Sequence, residues 1–289
     1  MEQDDQIQAE KLLIGSYDLH IHSAPSPFHR LCDDYQLLKE AGRAGMAGIM
    51  LKSHYESTAV RASLVNKYCS SSARAFGGIV LNWPVGGLNP FAVENALIRG
   101  ARIVWMPTRD AANSLKSGDM PGDFFHRQGI TVLDDKGHLK PDIYIIFAIV
   151  KKYDAALATG HLSPEESRII CLEGVRNGVR MILTHPEYYR TQMGKDEQAD
   201  LAKKGVYIEH CWYNFAEKDC TQEAMIQNIR AAGFEHCYLS TDRGQENREH
   251  PVEAMKRFIG LMLGNGFSER EINCMVHQVP RRVLGIENE

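Results

Sequence analysis

Apolar positions along this chain gather into eight short β-type runs, separated by longer stretches with the period of amphipathic helices. The β-type runs cover 15–21, 47–52, 75–81 and 101–106, then 155–159, 179–184, 206–209 and 237–241. Helical stretches fall at 33–45, 58–71, 90–99, 141–153, 163–177, 195–204, 221–232 and 251–263. Ser163-Pro164-Glu165-Glu166 opens one of them with an N-cap hydroxyl, proline in the first turn and early acids. Gly45, Gly178, Gly205 and Gly233 close others, where a left-handed residue is easiest. Eight strand–helix repeats predict an α/β fold, a single (β/α)8 TIM barrel over 1–289, in preference to a doubly wound sheet. Residues 107–140 break the rhythm after the fourth strand. They are rich in Gly, Pro and Asp, and 130–140 has the pattern of a hairpin turning at Asp135–Gly137, so a rim or lid insertion is expected there. Residues 268–285 predict one more helix beyond the barrel.

Composition narrows the class. The chain has 289 residues, of which 44% are hydrophobic and 24% charged, as in a globular protein with a substantial core. A net charge of −4 with no basic stripe argues against nucleic acid as a partner. The longest apolar run, 143–150, is too short to cross a bilayer, and the polar first ten residues carry no secretory signature. Seven cysteines without a Cys-x-x-Cys pair fit reduced thiols, so a cytoplasmic location is expected. The expected partner is a small-molecule substrate, and pairing of barrels through outer helices into a homo-oligomer is compatible with this reading.

The chemistry sits where the strands end. Strand carboxyl ends of a parallel barrel open on one face, so residues distant in sequence meet there. The first run ends in His20 and His22, two residues apart and hence on one face of a strand, with Asp18 behind them. Lys52 and His54 follow the second run, His161 the fifth and His185 the sixth. Glu209 and His210 end the seventh, and Asp242 follows the eighth. A lone histidine at such a place is an ordinary rim residue, but a ring of them costs stability unless it has a use. Two or three imidazoles with one carboxylate leave a coordination position open on a zinc-type ion, whose bound water acquires a pKa near ~7. Asp242 could accept that proton and pass it to a leaving group. Asp18 or Glu187 could orient the imidazoles. Arg109, Arg190 and Arg243 follow strands 4, 6 and 8 and could grip a carboxylate or phosphate, Arg243 first among them; Tyr55, Asn82 and Trp83 could line the pocket.

A His-x-His after the first strand, histidines after the fifth and sixth and an aspartate after the eighth resemble the amidohydrolase superfamily of metal-dependent barrels. Val279-Pro280-Arg281-Arg282-Val283-Leu284-Gly285 resembles the Asn-Pro-Ala-x-x-Leu-Gly ending common there, with Val for Asn. The resemblance points to a branch known as a domain of unknown function. It implies that His20, His22 and Asp242 hold a buried metal, and that His161 binds a second metal or the substrate. It further implies that His185 binds a second metal or polarises the substrate, acting catalytically with Asp242. The bridging lysine or glutamate usual on strand 4 is missing from Val104-Trp105-Met106-Pro107-Thr108, which argues against the standard two-metal centre. Lys52 could supply a carbamate bridge or, unmodified, bind an anionic group. His54 resembles the second-motif histidine of the PHP phosphoesterases.

The expected activity is therefore metal-dependent hydrolysis of a small-molecule amide, ester or lactone, with one or two divalent ions, zinc first and manganese or iron next. Lys52, His54, Arg109 and Arg243 are the expected substrate contacts. Two other readings remain open at this point: a PHP-like phosphoesterase, and a catalytically silent barrel that serves as a binding protein.

Overall fold

The structure, a computed structural model, describes residues 3–287 apart from 119, 121, 122, 124 and 125. Eight parallel strands run in sequence order around one sheet: β1 (Tyr17–His22), β2 (Gly48–Lys52), β3 (Arg74–Val80), β4 (Ala101–Trp105), β5 (Ala156–Ala158), β6 (Arg180–Leu183), β7 (Tyr207–Cys211) and β8 (Cys237–Ser240). Each strand is followed by helical structure, so both faces are covered and the sheet curls into a (β/α)8 barrel. Closure between β8 and β1 rests on two backbone bonds, Asp242 N–H to the His20 carbonyl and His22 N–H to the Arg243 carbonyl, both 2.8 Å.

Two apolar clusters divide the core. Met50, Phe76, Ile103, Trp105, Ile182 and Tyr238 fill the barrel, while Ile49, Leu51, Val104, Leu157 and Leu239 face the helices. The alternation within each strand assigns residues to one cluster or the other. In β1 the alternation is interrupted. Tyr17 and Leu19 pack with the interior cluster and Ile21 with the outer one, yet His20 and His22 also point inward. A shift of register makes this possible: three steps along β1, from Asp18 to Ile21, match two along β2, from Ile49 to Leu51. Such a bulge turns the following side chains over.

Val279, Val283 and Leu284 belong to the interior cluster, so the C-terminal helical segment plugs the end of the barrel away from the histidines. One helix, Gln3–Leu13, was not expected from the polar start; it buries Ala9, Leu12 and Leu13 against the rest of the core. The expected hairpin at 130–140 is reduced to one antiparallel bridge, Leu133–Leu139, around a tight turn. Part of the expected rim or lid lies outside the described residues, but Arg109 and Met120 bring the insertion to the edge of the main cavity. All seven cysteines are unpaired. No helix among the described residues is long and apolar enough to cross a membrane.

Candidate metal centre

A cavity of about 580 Å³ opens at the carboxyl ends of the strands, and its floor carries His20, His22, Lys52, His54, His161, His185 and Asp242. The His20 and His22 Nε2 atoms converge on the Asp242 Oδ1, at 3.2 and 3.1 Å. Their ligand atoms form a group in which every pair lies within 4.8 Å. The opposite ring nitrogens are already committed. His20 Nδ1 lies 3.1 Å from the Glu209 carboxylate, and His22 Nδ1 donates to the Lys52 carbonyl at 3.1 Å. With Nδ1 donating in both rings, both Nε2 lone pairs face Asp242, the arrangement a divalent ion requires. The donor set therefore fits a metal.

Electrostatics agree with that fit. Burial holds His22 down to about 3 and His185 to about 4, and it keeps His54 and His161 well below the usual imidazole range, so these rings are neutral. Burial works to raise Asp242, but the His20 and His22 rings and Lys52 beside it outweigh it and hold the carboxyl well below its ordinary range. Asp242 and His185 both sit at positive φ, +49° and +28°, a local strain of the kind found where a side chain is aimed for use. His185 stands 5.8 Å from the His20 ring and 5.1 Å from His161, whose buried Nδ1 has no partner.

Lys52, the last residue of β2, and His54 just beyond it both face the cavity. Lys52 Nζ lies 2.7 Å from His20 Nε2 and 5.2 Å from the centre of the Trp105 ring. Burial pushes its pKa below the lysine range, although Asp242 and Glu209 pull the other way. Trp105 occupies the inward position at the end of β4, where a bridging ligand would stand; a Cβ on Gly78 would come within 2.4 Å of its ring, so glycine there makes the room. His54 Nδ1 is 2.8 Å from the Thr108 hydroxyl, which also accepts from Asn82. The Thr108 hydroxyl can donate to His54 Nδ1 while it accepts from Asn82, which would leave the imidazole proton on Nε2. His54 is not a member of the group formed by His20, His22 and Asp242.

Several expectations need correction. The β1 bulge takes Asp18 away from the imidazoles: its carboxylate bonds the Thr241 hydroxyl at 2.5 Å and the Thr241 and His20 amides, tying β1 to β8. Glu187 holds His210 at 3.0 Å on the outer face of β7, so Glu209, which points inward, is the acid behind His20. Arg243 does not line the cavity. It is buried in ion pairs with Glu217 and Glu249 at 2.9 and 3.2 Å. Arg190 reaches the cavity but is spent on the Ser114 and Gly118 carbonyls. Tyr55, Asn82 and Trp83 line a neighbouring cavity of about 310 Å³ that shares Arg109 with the first. Arg109 itself lies on the wall of the main cavity and pairs with Asp123 at 3.2 Å. Sequence reasoning missed Arg30 altogether; its only signal was a cation in the loop after β1.

Residues 15–209 match a family described as a family of unknown function, DUF6282. The chain belongs to this family. The match covers the first six strands and the start of the seventh, and stops short of Asp242. No curated protein matches this DUF6282 chain in sequence. Its (β/α)8 fold is shared with several solved structures of low sequence identity. An amidohydrolase from Pseudomonas aeruginosa superposes with a TM-score of 0.62 at 12% identity, over 97% of this chain and 99% of its own. An organophosphorus hydrolase from Deinococcus radiodurans gives 0.60 at 10% identity, over 96% and 94%. 2,6-Dihydroxybenzoate decarboxylase from Rhizobium gives 0.56 at 13%, over 95% and 100%. The DUF6282 chain thus shares its architecture with both hydrolases and a lyase.

Proposed function

We propose that this DUF6282 protein is a metal-dependent hydrolase that cleaves an amide, ester or lactone bond in a small molecule. One observation carries the reading: two imidazole Nε2 atoms and a carboxylate oxygen from the first and last strands converge at the cavity floor, their outer nitrogens already engaged. His20, His22 and Asp242 would hold one divalent ion, zinc first and manganese or iron next. When bound, such an ion supplies Lewis acidity, polarising a carbonyl and acidifying water.

The chain's own groups do the rest. Asp242 stays ionised in the cavity, so its second oxygen can take a proton from attacking water and return it to the leaving group. Neutral His185, across the cavity floor, can hydrogen-bond the scissile carbonyl, and His54 would offer a second donor with its proton on Nε2. Glu209 keeps His20 in the tautomer that leaves Nε2 bare. Trp105 packs under Lys52, its ring centre 5.2 Å from Nζ.

Hydrolysis of a panel of amides, esters and lactones by zinc-loaded, chelator-stripped and zinc-restored protein tests this reading. Turnover should appear with zinc, vanish on stripping and fall at least about 10³-fold in Asp242→Asn, the scale on which removal of an acid–base group acts. Carbon dioxide release without hydrolysis would overturn it in favour of a lyase; turnover unaffected by stripping would overturn the metal dependence.

A further inference from the structure

We infer that the substrate carries a carboxylate, and that Arg30 receives it. This rests on the hydrolase reading for the identity of the cavity as an active site, but on separate residues. Arg30 lies in the loop after β1, and that loop is fixed rather than free. Arg30 pairs in antiparallel fashion with Gln245 after β8, and the neighbouring Leu31 amide donates to the Gly244 carbonyl at 3.0 Å. The guanidinium therefore has a set position on the cavity wall.

Among the described residues no carboxylate pairs directly with Arg30, although Asp242 attracts it through space. Arg30 stacks on the Phe28 ring, 4.5 Å from the centroid, and Arg109 stands 5.0 Å from the same centroid. Two guanidinium groups gathered on one ring repel each other, and such a pair is stable where an anion completes it. Arg109 has Asp123; among the described residues no acid pairs with Arg30. Its Nε is buried without a hydrogen-bond partner, which is costly unless a ligand supplies one. The other cations of the cavity are engaged: Lys52 on His20, Arg190 on backbone carbonyls.

One unspent planar fork takes one planar monoanion in a bidentate pair, which fits a carboxylate better than a phosphate dianion. Tyr188, Tyr213 and Phe28 add flat apolar wall around the cavity. A small acid with its carboxylate on Arg30 would place the bond to be cleaved toward Asp242 and His185.

Benzoate and benzamide share a shape and differ in charge, so calorimetric titration of zinc-loaded protein with each, and with inorganic phosphate, tests the assignment. Benzoate should bind at least about tenfold tighter than benzamide and tighter than phosphate. Arg30→Met should cut benzoate affinity by about tenfold or more while zinc content and benzamide affinity stay unchanged, and Arg30→Lys should restore part of it. Equal affinity for benzoate and benzamide in the wild type, a comparison that needs no variant to fold, would overturn the proposal. So would tighter binding of phosphate, or benzoate affinity indifferent to Arg30→Met, the result expected if benzoate sat on zinc instead. Failure of the protein to take up zinc would remove the hydrolase reading, and charge selection that persists in that protein would leave this one standing.

Discussion

Lys52 decides how an ion can sit at the barrel mouth. Its Nζ lies 2.7 Å from His20 Nε2, the atom that a metal would need. An ammonium there competes for the lone pair and repels a cation, by about 4 kcal/mol for unit charges at 4 Å and an effective dielectric of 20. A carbamate on the same atom would instead supply a ligand. Lys52→Met separates the two: zinc affinity measured by chelator competition should rise at least about tenfold if Lys52 is an unmodified competitor. A fall in zinc affinity would mean that Lys52 contributes a ligand. That His20, His22 and Asp242 come together was legible because they lie near or just past the carboxyl ends of the first and last strands, which share one face. Arg30 and Glu209 were harder to see. Arg30 sits in a loop whose path only the closed barrel defines, and β7 offers two adjacent titratable residues whose facing depends on register.

The elements around the centre carry their own constraints. The bulge in β1 is invisible in Tyr17-Asp18-Leu19-His20-Ile21-His22, which reads as plain alternation, and it is why Asp18 binds Thr241 rather than a histidine. Where β1 meets the turn after β8, Gly244 adopts φ +124°, and a Cβ there would fall 1.6 Å from the His22 carbonyl oxygen. Gly244→Ala should therefore push His22 out of place and weaken zinc binding by at least about tenfold, with far-UV circular dichroism still that of the barrel. Unchanged zinc affinity would mean that the β1–β8 junction does not position His22. On the outer face of β7, burial disfavours a charged His210, but the Glu187 carboxylate 3.0 Å away outweighs it and lifts the imidazole to about 10. An unfolded histidine titrates near ~6.5. The stabilisation from this group is thus complete below that pH and is lost as pH rises toward 10. On the acid side it fades once Glu187, held below the carboxylate range by His210 against the effect of burial, takes a proton. Glu187→Gln should cost about 3 kcal/mol near pH 6 and flatten the decline in stability between pH 6.5 and 10 seen in urea denaturation. The same slope in both proteins would contradict the ion pair.

At the scale of the molecule, the order of eight βα repeats was legible because each buried strand must be followed by a helix that covers it. The Gln3–Leu13 helix was not, since its few apolar positions make sense only against the helix Pro251–Gly264 and its neighbours. Arg243 shows the same limit from the other side: its place next to Asp242 suggested the cavity, and only the positions of Glu217 and Glu249 in space turn it away. What closure accomplishes is to set the first and last strands side by side, so that residues 222 apart in the numbering, His20 and Asp242, come within 3.2 Å. The claim that this junction is a metal centre is tested most directly by an anomalous-scattering map at the zinc edge from zinc-loaded crystals. It should contain one peak at about 2.0–2.2 Å from His20 Nε2, His22 Nε2 and an Asp242 oxygen. A map with no peak at these three residues, or with two peaks bridged by a carboxylated Lys52, would contradict the account.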